Sequence, residues 1–237
     1  MRKLMLSILL TAFLMMTACS GDNAAGRLIA SVRQRFSSGR NEVQRAFEAK
    51  QQAHSWRTKT ELKAHPGRAL ETVVEVSCPD RERITTTLGE TTYESIRIGK
   101  DSWVKGASGT WNRQAAAADA YPCGSNPGAP SPWAMMNEGR DLTTVIATMA
   151  KTANAEVARG NTVQVENASC QQWIVRFQHP GGGGRGVSYT LCVGTDGLPR
   201  QVVMGSGGMI STYSDWNKPM NIQAPNDAGA SPLAARR

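Results

Sequence analysis

The sequence lacks the residue patterns on which most enzyme and metal sites depend. It has three histidines in 237 residues, no CxxC pair among its five cysteines, and neither a GxSxG nor an HExxH motif. Those patterns place a nucleophile beside its base, or several zinc ligands beside one another. We therefore expect a protein without enzymatic activity, metal or cofactor.

Basic charge is not concentrated in any part of the chain. The net charge is +8 at pH 7, but lysines and arginines stand singly or in adjacent pairs, and no basic block is interleaved with aromatic residues. Surfaces that bind nucleic acid carry such blocks, so we expect no nucleic-acid partner. The basic excess suits attraction to anionic lipid head groups or acidic envelope polymers, and a solvated surface without a partner is the alternative.

The apolar run at the start of the chain is too short to span a membrane. Residues 4–16 give 13 apolar or small residues after two basic ones, whereas a spanning helix needs about 20. This order is typical of an export signal. The following "MTAC" resembles the lipobox of bacterial lipoproteins, so we expect residues 1–18 to be removed and Cys19 to carry a lipid anchor. An ordinary signal peptide cut nearby would leave Cys19 as a free thiol.

Apolar residues at helical spacing predict two helices within residues 24–53, separated by Ser37, Ser38 and Gly39. We expect residues 19–40 to link the anchor to the domain. This linker is either an amphipathic helix that rests on the membrane or a solvated segment.

The rest of the chain predicts a mainly β domain of the α+β class. Short segments of alternating apolar and polar residues, separated by turn residues, run from Ser55 to about residue 115 and again from about residue 156 to residue 216. Between them, a stripe at i, i+3, i+4, i+7 spacing predicts one helix with a buried face, formed by Leu142, Val145, Ile146 and Met149. Residues 220–237 have little to bury, and we expect them to be a disordered tail.

Three phrases of the domain, "PDRER", "IRIGKDSWVK" and "DGLPRQ", resemble strand and turn segments of the LolA/LolB-like family. This family includes the periplasmic lipoprotein carrier, the outer-membrane lipoprotein receptor and lipid-binding envelope lipoproteins. The resemblance covers residues 41–219. It implies a strongly curved antiparallel sheet that forms an incomplete barrel, helices that close its open side, and an apolar cavity for acyl chains between them.

The resemblance implies a non-enzymatic lipoprotein of the cell envelope that binds an acyl chain, such as palmitate, of a lipid or lipoprotein. Because Ser20 follows Cys19, it also implies anchoring at the periplasmic face of the outer membrane, and we expect a monomer. The alternative is an interaction or structural envelope module with a solid core and no ligand cavity. We expect the cavity to be lined by the helical stripe and two strand tryptophans, namely Leu142, Val145, Ile146, Met149, Trp103 and Trp111.

The four cysteines beyond Cys19 predict two disulfides. Placing Cys170 directly opposite Cys192 in an antiparallel hairpin sets Trp173 opposite Tyr189 and brings the glycine-rich residues 179–186 to the turn. The Cα atoms of directly opposite residues lie within the range of a disulfide. We therefore predict a bridge between Cys170 and Cys192. By elimination, a second bridge joins Cys78 to Cys123.

Overall fold

The computed structural model describes residues 24–64, 68–115, 123, 142–151, 155–177, 186–205 and 208–226. These residues form two helices, α1 (Ala24–Gln52) and α2 (Leu142–Ala150), and eleven strands. The strands are β1 (Ser55–Ala64), β2 (Arg68–Ser77), β3 (Arg81–Leu88), β4 (Thr91–Ile98), β5 (Asp101–Lys105), β6 (Trp111–Ala115), β7 (Ala155–Val165), β8 (Ala168–Phe177), β9 (Val187–Gly194), β10 (Pro199–Met204) and β11 (Met209–Ser214).

Helix α1 is one continuous helix where the sequence predicts two. By its contacts the chain divides into two units between residues 38 and 39, a boundary that falls within α1. The predicted break at Gly39 is wrong, and the packing of this glycine gives the reason. It is buried, and a Cβ atom added there would lie 3.0 Å from Cγ1 of Val157 and 3.3 Å from the ring of Trp173. The glycine therefore permits close approach of the helix to two strands instead of ending the helix.

All eleven strands belong to one antiparallel sheet, in the order β6-β5-β4-β3-β2-β1-β11-β10-β9-β8-β7. The pairing of β1 with β11 joins the first six strands to the last five. Among the described residues the edge strands β6 and β7 do not pair with each other, so the sheet is open. This mainly β, antiparallel architecture confirms the predicted class and agrees with an incomplete barrel.

Two hairpins in the first half of the sheet have turns of two residues. Gly89 and Gly99 are the first residues of these turns, with φ of 60° and 57°. Side chains disfavour positive φ, so glycine at this position permits the tight connection. The turns place β3, β4 and β5 side by side in uninterrupted register.

The main core lies between the helices and one face of the sheet, which we call the inner face. Ile146 of α2 is fully buried in this core. The buried cluster includes Val43 and Ala46 of α1 together with Val175 and Leu191 of the sheet. Burial of these side chains fixes which face of each strand points to the helices, because side chains alternate along a strand.

A second cluster lies on the opposite, outer face of β4 and β5. It contains Ile96, Trp103 and Ile222, which are 4%, 7% and 1% exposed. Arg81 Nη1 donates a hydrogen bond of 3.0 Å to the Ile222 carbonyl. The expected disordered tail over residues 220–237 is therefore wrong for residues 220–226, since Ile222 packs onto the sheet. Residues 227–237 lie outside the described part of the chain.

Both predicted disulfides are present, Cys78 to Cys123 and Cys170 to Cys192. The predicted register of the β8–β9 hairpin is wrong by two residues, because Cys170 lies opposite Gly194 and Cys192 lies opposite Gln172. The bridge is therefore diagonal, with a Cα–Cα distance of 5.5 Å. A shift of two residues keeps every side chain on its face, so the alternating pattern cannot distinguish the two registers. Residues 179–185 of the predicted turn lie outside the described residues.

Candidate functional site

The inner face carries an apolar row in which each side chain lies directly opposite the next across neighbouring strands. Directly opposite residues share a face and lie close enough for their side chains to touch. From β7 to β3, the apolar row consists of Val157, Val175, Tyr189, Met204, Met209, Leu62, Leu70 and Leu88.

Exposure increases along the apolar row from β7 to β3. Val157 and Val175 are 1% and 0% exposed, in the buried cluster that they share with residues of both helices. The middle members, from Met204 to Leu70, are half-buried. Leu88, at the far end, is 43% exposed. The row is thus the core of the protein at one end and an accessible apolar surface at the other.

A second row of the inner face runs beside the apolar row, two residues further along each strand. On β8, β9 and β10 it is apolar, with Trp173, Leu191 and Val202. On the next five strands it changes to hydroxyl-bearing residues, which we call the hydroxyl row. Its members are Ser211, Thr60, Thr72, Thr86 and Tyr93.

The hydroxyl row is organised into hydrogen-bonded pairs. Thr60 Oγ1 and Ser211 Oγ lie 2.8 Å apart, and the Oγ1 atoms of Thr72 and Thr86 lie 3.3 Å apart. Ser211 is buried at 2% exposure, whereas Tyr93 is 43% exposed. The hydroxyls therefore extend from the core towards the same accessible end as the apolar row.

Neither row contains a charged residue. Glu82 and Arg97 lie on the same face of β3 and β4, four residues along the strands from the hydroxyl row. They form an ion pair of 3.0 Å, and both side chains are largely buried. Four residues of strand span about 13 Å. The Tyr189 phenol belongs to the apolar row, and burial raises its pKa, so it stays neutral around pH 7. The rows can thus offer apolar contact and neutral hydrogen bonds.

The structure brings together only part of the predicted cavity lining. Leu142, Val145 and Ile146 of α2 are buried in one cluster against the inner face. Trp103 and Trp111 belong instead to the outer-face cluster with Ile222, so they do not share a surface with α2. The reason is that apolar residues alternate to the outer face on β4 and β5, as the pairing of Trp103 with Ile96 shows. The side chain of Met149 lies outside the described part of the chain.

The sequence alone does not identify one surface formed by Leu62, Leu70, Leu88, Met204 and Met209. Each stands in an alternating segment, which is the available signal for a buried face. What the sequence does not give is the pairing of β1 with β11, which brings Leu62 opposite Met209 across 147 residues of chain. Cys19 lies outside the described residues. Among the described residues, no three His, Cys, Asp or Glu side chains come together as metal ligands would.

In structure, this chain is similar to the Mycobacterium tuberculosis lipoprotein LppX, with a TM-score of 0.53 and 14% sequence identity over 79% of this chain and 99% of LppX. The chain shares the fold of LppX. At this identity the similarity shows the fold alone. No protein-family model matches the sequence, and no curated protein matches it.

Two further solved structures are less similar. A DUF1329 family protein from Desulfovibrio piger has a TM-score of 0.33 at 10% identity, over 80% of this chain and 95% of that protein. A LolA superfamily protein from Nitrosomonas europaea has a TM-score of 0.28 at 11% identity, over 78% and 94%. Scores this low add nothing to the assignment, which the match to LppX carries.

Proposed function

We propose that this chain is a non-enzymatic envelope lipoprotein that holds an acyl chain, of a lipid or of a lipoprotein, along the apolar row. The observation that carries the proposal is the continuity of this row, which begins under α2 and continues, increasingly exposed, to Leu88. LppX, which is similar in fold, is named a lipoprotein, and this supports an envelope location. In this proposal α1 and α2 close the open side of the incomplete barrel.

The dimensions and chemistry of the apolar row suit a long acyl chain. From Tyr189 to Leu88 the row crosses six neighbouring strands, a path of about 24 Å at roughly 4.8 Å per strand. Burial contributes about 25 cal/mol per Å2 of apolar surface, or about 0.8 kcal/mol per methylene. A chain of palmitate length can therefore bind through burial with few polar contacts, even after the cost of ordering it.

An interaction or structural module with a solid core is the second candidate, and the packing of α2 favours it for one half of the sheet. Ile146 is 0% exposed and lies in one cluster with Leu142, Val145 and the inner-face residues of β8 to β10. The helix therefore fills that part of the inner face. Under this candidate the exposed part of the apolar row contacts an envelope protein, and no acyl chain binds.

The anchor is proposed at Cys19 and the location at the periplasmic face of the outer membrane. Among the described residues, neither helix is both long and apolar enough to cross a bilayer. The Cys19→Ala variant is expected to move from the membrane fraction to the soluble fraction of the envelope. If this variant remained in the membrane fraction, the anchor would be contradicted, but the proposal of the acyl site would not be affected.

Titration with a fluorescent 16-carbon fatty acid tests the acyl site. Leu70 stands in the middle of the row, so Leu70→Asn removes apolar contact and adds a polar group. We expect the fatty acid to bind this variant about fivefold to tenfold more weakly, which corresponds to about 1 to 1.4 kcal/mol.

Val73→Asn is the matched control, because Val73 is half-buried on the same strand but points to the outer face. Both variants introduce asparagine into β2, so any general weakening of the strand affects both. The proposal requires that only Leu70→Asn weakens binding. No binding to the unmodified protein would contradict the acyl site and favour the solid module.

A further inference from the structure

The hydroxyl row occupies an unexpected position for a surface that holds only hydrocarbon. It lies between the apolar row and a third inner-face row that contains Tyr213, Val74 and Ile84. Pairs of threonines stabilise sheets on solvated faces. Here the threonines continue a row that is fully apolar on β8 to β10, and they are half-buried beside accessible apolar side chains.

The paired hydroxyls retain hydrogen-bonding capacity. Each hydroxyl has one hydrogen to donate and two lone pairs. The contact between Thr72 and Thr86 uses one of the two hydrogens of that pair, and the contact between Thr60 and Ser211 does the same. Each pair can therefore donate one more hydrogen bond to a carbonyl oxygen placed beside it.

We propose that the hydroxyl row is a polar subsite that donates hydrogen bonds to the ester carbonyl of a bound acyl ester while its chain lies along the apolar row. This inference rests on the proposed function and specifies the ligand class. Both rows are uncharged, and the ion pair of Glu82 with Arg97 lies about 13 Å further along the strands. An ester carbonyl matches this environment, because it accepts hydrogen bonds from neutral hydroxyls and needs no charged partner.

The double variant Thr72→Val, Thr86→Val tests the subsite. Valine has the shape of threonine and favours strands, and removal of both partners leaves no unpaired hydroxyl. The probes are a 16-carbon monoacylglycerol and its ether-linked analogue, which has the same chain and glycerol but no carbonyl. We expect the variant to bind the ester about threefold to tenfold more weakly and the ether with unchanged affinity.

The matched control is Thr85→Val, Thr87→Val, which also replaces two threonines by valine but on the outer face of β3. It should leave the affinity for both probes unchanged. Equal loss of both probes, or loss of neither, in the inner-face variant would overturn the subsite while leaving the acyl site intact. Failure of the unmodified protein to bind either probe would overturn the acyl site and the subsite with it.

Discussion

Ile222 lies in one buried cluster with Trp103, on the face of the sheet opposite to the helices. The segment that carries Ile222 is held by several contacts near its start. Ser55 Oγ donates a hydrogen bond of 2.5 Å to the Lys218 carbonyl, and the Asn217 amide donates one of 2.9 Å to the Ser55 carbonyl. The chain after β11 therefore covers apolar surface that the sheet alone would expose.

Replacement of Ile222 by alanine should destabilise the protein. Because Ile222 is 1% exposed, we expect the free energy of unfolding to fall by about 2 to 4 kcal/mol, measured by urea denaturation. The neighbouring Asn221 is exposed, so Asn221→Ala should change stability by less than about 0.5 kcal/mol. Equal stability of the two variants would show that the segment does not cover the cluster.

The bridge between Cys170 and Cys192 should stabilise the protein substantially. The cysteines are 22 residues apart, and a loop of this size predicts about 3 kcal/mol in the chain-entropy model. The double variant Cys170→Ala, Cys192→Ala should therefore unfold at a lower urea concentration. Non-reduced tryptic mapping should recover peptides that contain these two residues in covalent linkage, and linkage of either to Cys78 would contradict the structure.

The charge of Asp215 should stabilise the fold in a pH-dependent way. The hydrogen bond from Lys218, with Arg57 nearby at 2.9 Å, holds the pKa of Asp215 below its ordinary value. Its contribution is fully present above the ordinary aspartate pKa, about 3.9, and is lost as pH falls through the lowered folded pKa.

Asp215→Asn isolates this charge. Asp215 has φ of 54°, a conformation that asparagine also tolerates. At pH 7 we expect the variant to be less stable by about 0.2 to 1 kcal/mol, as for other accessible ion pairs. The difference between the two proteins should shrink as pH falls below 4 in urea denaturation, and a difference that grows under acid would contradict the assignment.

The local sequence pattern was sufficient to predict features that depend on residues of a single hairpin. Alternation around Cys170 and Cys192 placed both on one face, and the bridge followed from that. The exact pairing did not follow, because registers that differ by two residues expose the same faces. The break expected at Gly39 failed because a glycine that ends a helix and one that allows close packing look alike in sequence.

Features that depend on the pairing of strands far apart in the sequence could not be predicted. Leu62 and Met209 become neighbours only because β1 pairs with β11, and no local pattern specifies that contact. Trp103 illustrates the same limit, since its segment alternates clearly but nothing in it says which face the helices cover. Ile222 is a single apolar residue in a polar segment, so it has no periodicity to reveal its burial.

Photochemical labelling with palmitate that carries a diazirine at the end of its chain tests the acyl site most directly. The full chain is irradiated with the probe, digested and mapped by mass spectrometry. The apolar row predicts labels at accessible inner-face positions, in particular Leu62, Leu70, Leu88, Met204 and Met209. Labels confined to the outer face around Trp103 and Ile222, or no labelling above that of the denatured chain, would contradict the proposed site.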